Sequence, residues 1–185
     1  MGKLILVTGG ARSGKSTFAE ETVKKLGDKV LYIATAVPFD EEMKLRIKKH
    51  QEQRPSNWET LEAYKDFDSR LKNRLEDKNV IMLDCITVMV TNLMFEDCLD
   101  WDKINGDEIE KIEELIKKEI GKLLTIIQEV QIPFVLVTNE IGMGVVPEYP
   151  AGRVFRDVAG RANQILAKAA DEVYLCVSGI PVKIK

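Results

Sequence analysis

Residues 9–16 read Gly-Gly-Ala-Arg-Ser-Gly-Lys-Ser, the full G-x-x-x-x-G-K-[ST] spacing of a phosphate-binding loop. Each residue type has a physical task in that pattern. Gly9, Gly10 and Gly14, with Ala11, Arg12 and Ser13 between them, let the backbone turn its N–H groups inward around phosphate oxygens. The N-terminus of a following helix adds partial positive charge. Lys15 is suited to the outer phosphates and the Ser16 hydroxyl to Mg²⁺. Asp84 ends the apolar run Val80 to Leu83, which sets a carboxylate at the C-terminal edge of a strand, within reach of the same ion. The bland alternative for Asp84 is a strand that ends in a polar residue. Together these residues predict a nucleoside triphosphate as ligand.

The loop needs a strand before it and a helix after it, and the sequence supplies both. Leu4 to Thr8 carries the continuous apolar run of a strand buried on both faces, and Phe18, Ala19, Val23 and Leu26 mark one face of the helix that follows. Further strands are predicted at Val30 to Ala34, Val80 to Asp84, Phe134 to Thr138 and Val173 to Val177, with Gly179 turning the chain into a short terminal strand, Pro181 to Ile184. Helices are predicted over Asp40 to Gln53, Lys65 to Leu75, Asp107 to Glu129 and Ala151 to Ala170. In the third of these, Ile109, Ile112, Ile116, Ile120, Leu123 and Ile127 recur three or four apart, and the Lys and Glu residues between them read as a solvated face. The apolar segment Ile86 to Phe95, with Thr87 and Thr91 on one side, is suited to the core or to another subunit. The alternation predicts an α/β fold: one phosphate-loop NTPase domain over residues 1–185, a mostly parallel sheet flanked by helices, and a short C-terminal strand pair.

Composition removes several function classes. A formal charge of −3 over 185 residues offers no basic surface for nucleic acid. No apolar stretch approaches a membrane span, and the chain enters strand and phosphate loop without a signal peptide, so a cytoplasmic location is expected. Cys85, Cys98 and Cys176 are odd in number and lack metal spacing, as free thiols would. A phosphate loop alone fits kinases, GTPase switches, motors and nucleotidyltransferases. Here Cys-Ile-Thr follows Asp84 in place of a switch glycine, and Thr138-Asn139-Glu140 lacks the Lys and Asp of the guanine-reading Asn-Lys-x-Asp motif. A small kinase-like enzyme is left ahead of a nucleotide-binding regulatory protein. The single histidine, His50, continues the stripe Met43, Ile47, and its spacing leaves both a packing role and a catalytic one open.

Longer blocks narrow the choice. Residues 46–55, Arg-Ile-Lys-Lys-His-Gln-Glu-Gln-Arg-Pro, are followed by Trp58-Glu59-Thr60-Leu61-Glu62. With Thr8 to Ser16, Tyr32 to Thr35, Cys85 to Thr87, Met89 to Leu93, Val137 to Glu140, Gly142 to Gly144, Phe155 to Asp157, Ala159 to Arg161, Asn163-Gln164 and Val177 to Gly179, they run through nearly the whole chain. In these blocks the sequence resembles the bifunctional adenosylcobinamide kinase and adenosylcobinamide-phosphate guanylyltransferase family of cobalamin synthesis.

The resemblance implies that His50 takes up GMP covalently, beside the catalytic Lys15 that the loop pattern supplies. It implies nucleotide contacts from Ala34, Thr35 and Ala36, from Gln51, Glu52, Gln53 and Arg54, and from Glu62 and Asp84, in addition to those of the loop and to Mg²⁺ at Ser16 and Asp84 read above. ATP or GTP would phosphorylate adenosylcobinamide, and GTP would supply GMP to the phosphate product. A homo-oligomer is also implied, a trimer with corrinoid sites between subunits being one form. For Glu62 an exposed strand carboxylate is the competing reading. Arg153, Arg156 and Arg161 suit either phosphate or helix-surface pairing with Asp157 or Glu148, and Gly142-Met143-Gly144 suits either a mobile loop or a plain turn. Asp84 stands where the family commonly has Glu, and Lys49 replaces a histidine that precedes the nucleophile in some relatives. The enzyme alternative is a small-molecule or nucleotide kinase with a structural His50.

Overall fold

A computed structural model of the chain describes residues 2–37, 41, 44–45, 55–97 and 99–185. The apolar runs form the centre of one seven-stranded sheet: β1 (Leu4–Gly9), β2 (Val30–Ala34), β3 (Glu59–Glu62), β4 (Val80–Asp84), β5 (Phe134–Val137), β6 (Glu172–Val177) and β7 (Ile180–Lys183). Their order across the sheet is β3-β2-β4-β5-β1-β6-β7. Every ladder is parallel except the last, the β6–β7 hairpin.

A central parallel strand has both faces covered, so successive residues must be apolar. In β1, Leu4 and Leu6 join the core under α3 (Ile86–Met94), α4 (Gly106–Glu129) and α5 (Pro150–Ala169), while Ile5 and Val7 join the core under α1 (Lys15–Leu26). On α4, Ile112, Ile116, Ile120, Leu123 and Ile127 are all buried. Burial of each such side chain contributes roughly 1.5–3 kcal/mol relative to exposure. The helix starts where a capping box sets it: Glu108 N–H donates to Asn105 Oδ1 at 3.0 Å and Asn105 N–H to Glu108 Oε2 at 2.9 Å. No helix among the described residues is long and apolar enough to cross a membrane.

Several elements differ from the sequence expectation. β3 is a sixth parallel strand that the predicted strands omitted; it lies at the sheet edge and buries only Leu61, so its sequence carries little strand signal. The helix predicted from Lys65 to Leu75 shrinks to α2 (Phe67–Arg70), because Asp66 takes a left-handed conformation and Phe67 and Leu71 alone anchor the turn in the core. The segment from Ile86 is helical to Met94 and packs in the core, seven of its nine residues being buried. The expected solvated face of α4 contains one exception, Glu119, which is buried and accepts the Asp66 N–H at 2.8 Å and Lys122 Nζ at 2.7 Å. Leu26, expected on the buried face of α1, is 36% exposed at the helix end. The predicted helix Asp40 to Gln53 lies mostly outside the described residues, as does Cys98; Cys85 and Cys176 are buried free thiols.

The outer end of the sheet is closed by charge. Lys3 (2.8 Å), Lys183 (3.1 Å) and the Tyr174 hydroxyl (2.8 Å) converge on Glu172, and these contacts, the Lys3 bond foremost, hold its carboxyl down at about 2 against the ordinary 4.5. A depressed carboxyl stabilises the fold fully above its ordinary value and stops doing so as pH falls through about 2. Glu172→Gln is therefore expected to lower stability by about 1 kcal/mol at neutral pH, and the difference in Tm from wild type should close on acidification from pH 4.5 towards 2. A Tm difference that does not change with pH would contradict this linkage.

Candidate nucleotide site

Strand register brings the separated residues into one row at the C-terminal edge of the sheet. Glu62 pairs with Ala34, Ala34 with Asp84, Asp84 with Val137, and Val137 with Val7, two residues before the phosphate loop. With neighbouring strands ~4.8 Å apart, the row runs about 19 Å from Glu62 to β1. β5 is the one strand between β1 and β4, so the chain leaving β5 stands between the phosphate loop and Asp84.

The loop itself is held by close backbone approaches. Gly14 caps α1 in a left-handed conformation (φ 86°), and a Cβ there would sit 2.9 Å from Gly179 Cα. At Gly9 a Cβ would meet the Cys176 carbonyl oxygen at 2.6 Å. Ser13 O accepts the Gly179 N–H at 2.9 Å, and Gly9 O accepts the Glu140 N–H at 3.1 Å. Lys15 folds back so that its Nζ donates to Gly10 O at 3.1 Å. The hydroxyls of Thr8 and Ser13 are buried with no protein partner among the described residues.

On the other side of Asp84 a second set of contacts fixes β2 to β4. Thr35 Oγ1 donates to Cys85 O at 2.8 Å and accepts the Cys85 N–H at 2.9 Å, while Asn92 Nδ2 donates to Thr35 O at 2.7 Å. The Asp84–Cys85 peptide is cis. The Tyr32 hydroxyl donates to Asp84 Oδ2 at 3.1 Å. Burial, and then the neighbouring Asp84 charge, pushes the Cys85 thiol up to about 12, so it stays protonated and is no nucleophile near neutral pH. Ala34, Thr35, Ala36, Glu62, Lys65 and Arg70 line a cleft of about 200 Å³ at the β2–β3 end of the row.

The structure thus brings together the loop, Asp84, Ala34 to Ala36 and Glu62. His50 and the predicted contacts Gln51, Glu52, Gln53 and Arg54 lie outside the described residues. The arginines of α5 are engaged locally: Arg161 with Glu113 of α4 at 2.6 Å, Arg156 with Asp157 at 3.4 Å, and Arg153 with the carbonyls of Pro147 and Glu148. Tyr32, Thr87, Asn92 and Asn163 are positioning residues whose role sequence reading did not assign. For Tyr32, Thr87 and Asn92 the local signal is a polar group within an apolar run; Asn163, between Ala162 and Gln164, carries none. Thr87 Oγ1 lies 3.2 Å from Thr138 Oγ1 and accepts the Asn139 N–H at 2.6 Å. Thr138 Oγ1 in turn donates to Asn163 Oδ1 at 2.7 Å.

The donor set at the row is chemically suited to Mg²⁺. The Ser16 hydroxyl and the Asp84 carboxylate are hard oxygen donors, few in number, as that ion requires when phosphates supply further ligands. Tyr32 engages the Oδ2 oxygen of Asp84.

Two substitutions test this architecture. Thr35→Val keeps shape but leaves the buried Cys85 N–H and C=O without the hydroxyl, and is expected to cost about 2–4 kcal/mol in denaturant unfolding; a loss under about 0.5 kcal/mol would contradict the assigned role. Gly14→Ala is expected to weaken Mg-ATP binding at least ~10-fold by calorimetry, because the left-handed φ and the Gly179 contact both resist a Cβ. Unchanged affinity would show that the loop does not need its close approach to the hairpin.

The sequence matches the cobinamide kinase / cobinamide phosphate guanyltransferase family over residues 5–184. It is 48% identical to the bifunctional adenosylcobalamin biosynthesis protein CobU of Escherichia coli, over 98% of this chain and 99% of that protein. Identity to the protein of the same name from Salmonella typhimurium is 49%, again over 98% and 99% of the two chains. Among solved structures, the RadB recombinase superposes with a TM-score of 0.49 at 17% identity, over 94% of this chain and 73% of that one. On the extent of the family match and the near-complete coverage of these relatives, the chain belongs to the cobinamide kinase / cobinamide phosphate guanyltransferase family.

Proposed function

We propose that this chain phosphorylates the aminopropanol hydroxyl of adenosylcobinamide with ATP or GTP, then transfers GMP from GTP through His50 to the phosphate product, giving adenosylcobinamide-GDP and pyrophosphate. The observation that carries the reading is the family match across residues 5–184, on a chain whose phosphate loop stands between β1 and α1. The exposed apolar side chains of β7, Ile180 and Val182, suit packing against another copy, in keeping with a homo-oligomer. Nucleotide supply and free thiols both suit the cytoplasm.

In the kinase step the loop N–H groups and Lys15 bind and orient the triphosphate, so catalysis is mainly positioning and electrostatic stabilisation. Ser16 and Asp84 would hold Mg²⁺, which supplies neutralising charge to the phosphates when bound. In the transfer step a neutral imidazole nitrogen of His50 attacks the α-phosphorus of GTP. An N–P bond forms as the bond to pyrophosphate breaks. A phosphate oxygen of the corrinoid then attacks the same phosphorus and releases the histidine. Glu62 and the cleft beside it, with Ala34 to Ala36, suit hydrogen bonding to ribose or guanine.

Intact-protein mass spectrometry after incubation with Mg-GTP tests the transfer half. One GMP-sized addition is expected on wild type, mapped to His50 and absent from His50→Ala. Folded, GTP-binding protein without an adduct would leave a simple kinase with a structural histidine.

A further inference from the structure

The phosphoryl-transfer step leaves one requirement unassigned: a group to take the proton of the attacking hydroxyl. We propose that Glu140 is that general base, an inference that rests on the kinase activity proposed above.

Placement carries the argument. β5 lies between the phosphate-loop strand and the Asp84 strand, and Val137 at its end is in register with Val7 on one side and Asp84 on the other. The three residues that follow continue between the two halves of the site. Each is pinned: Thr138 N–H donates to Val7 O at 3.0 Å, Asn139 N–H donates to Thr87 Oγ1 while Asn139 O accepts Asn163 Nδ2 at 3.0 Å, and Glu140 N–H donates to Gly9 O at 3.1 Å. Glu140 is thereby tied by its backbone to the first residue of the phosphate loop. Its carboxylate is oriented as well, since Oε1 accepts the Gly142 N–H at 2.8 Å, and Glu140 is only partly buried. A carboxylate held by one oxygen, on a backbone fixed from four directions, is preorganised to receive a proton on the other.

The other carboxylates of the row are less suited. Asp84 already accepts the Tyr32 hydroxyl and is the donor suited to the cation. Glu62 stands four strand spacings from β1, about 19 Å away. In the step itself, the substrate oxygen forms a bond to the γ-phosphorus, the bond from that phosphorus to the bridging oxygen breaks, and nucleoside diphosphate leaves with the electron pair. The hydroxyl proton passes to Glu140 and from there to water. GMP attachment to His50 removes no hydroxyl proton, so that reaction does not require Glu140.

The test compares full-length wild type with Glu140→Gln, which keeps an acceptor for Gly142 N–H but cannot serve as the base. With adenosylcobinamide and Mg-ATP, kcat should fall roughly 10²–10⁴-fold, with KM for ATP and the rate of GMP attachment each within about threefold of wild type. Either a kcat within threefold of wild type, or a fall in kcat matched by equal losses in ATP affinity and GMP attachment, would overturn the assignment. A wild-type protein that performs neither reaction would overturn the functional reading itself, and this step with it.

Discussion

The phosphate loop is held in place by backbone, and most of the molecule is arranged to make that contact available. Gly9 O takes the N–H of Glu140 from the chain leaving β5, and Ser13 O takes the N–H of Gly179 from the β6–β7 turn. The loop is thus clamped by the continuations of both strands that flank β1. Such a clamp works only where no Cβ intervenes, which is why Gly9 and Gly14 stand against Cys176 and Gly179. It also requires those flanking strands to end level with β1. The β1–β5 and β1–β6 ladders provide this, and the two-residue turn at Ser178 and Gly179, both with positive φ, brings β7 back antiparallel to β6.

A second constraint is polar and buried. Thr35, Cys85 and Asn92 bind the end of β2 to α3, and Thr87, Thr138 and Asn163 bind α3 and α5 to the chain leaving β5. Polar groups at this depth are costly unless paired, so the paired state favours one geometry of the sheet edge over its alternatives. The row of Glu62, Ala34, Asp84 and Val137 is held at fixed spacing as a result. Rigidity here serves the chemistry proposed for the site, where stabilisation of phosphate charge depends on groups that need not move during reaction.

What could be read from sequence was what is local. The phosphate loop, the strand before it, and Asp84 at the end of β4 are each contained within a few residues, and their physical tasks dictate their types. α4 was equally legible, since its apolar stripe from Ile109 to Ile127 repeats over about five turns. β3 was not, because an edge strand with one buried residue lacks periodicity, and α2 was legible as a helix but not in its extent, since only one turn forms inside the predicted span. The polar network was hidden for another reason. Thr87 and Thr138 are 51 residues apart and Thr138 and Asn163 are 25 apart, so each looks like an isolated hydroxyl or amide until the sheet brings them together.

The central claim is that one row at the C-terminal edge, from the phosphate loop through Asp84 to Glu62, receives the nucleoside triphosphate. A crystal structure of the protein with Mg²⁺ and the β,γ-imido analogue of GTP tests it most directly. The β- and γ-phosphates should lie within the turn of residues 9–16, with the cation bound by the oxygens of Ser16 and Asp84. Phosphates bound elsewhere, with the Lys15 ammonium still on Gly10 O, would contradict the account.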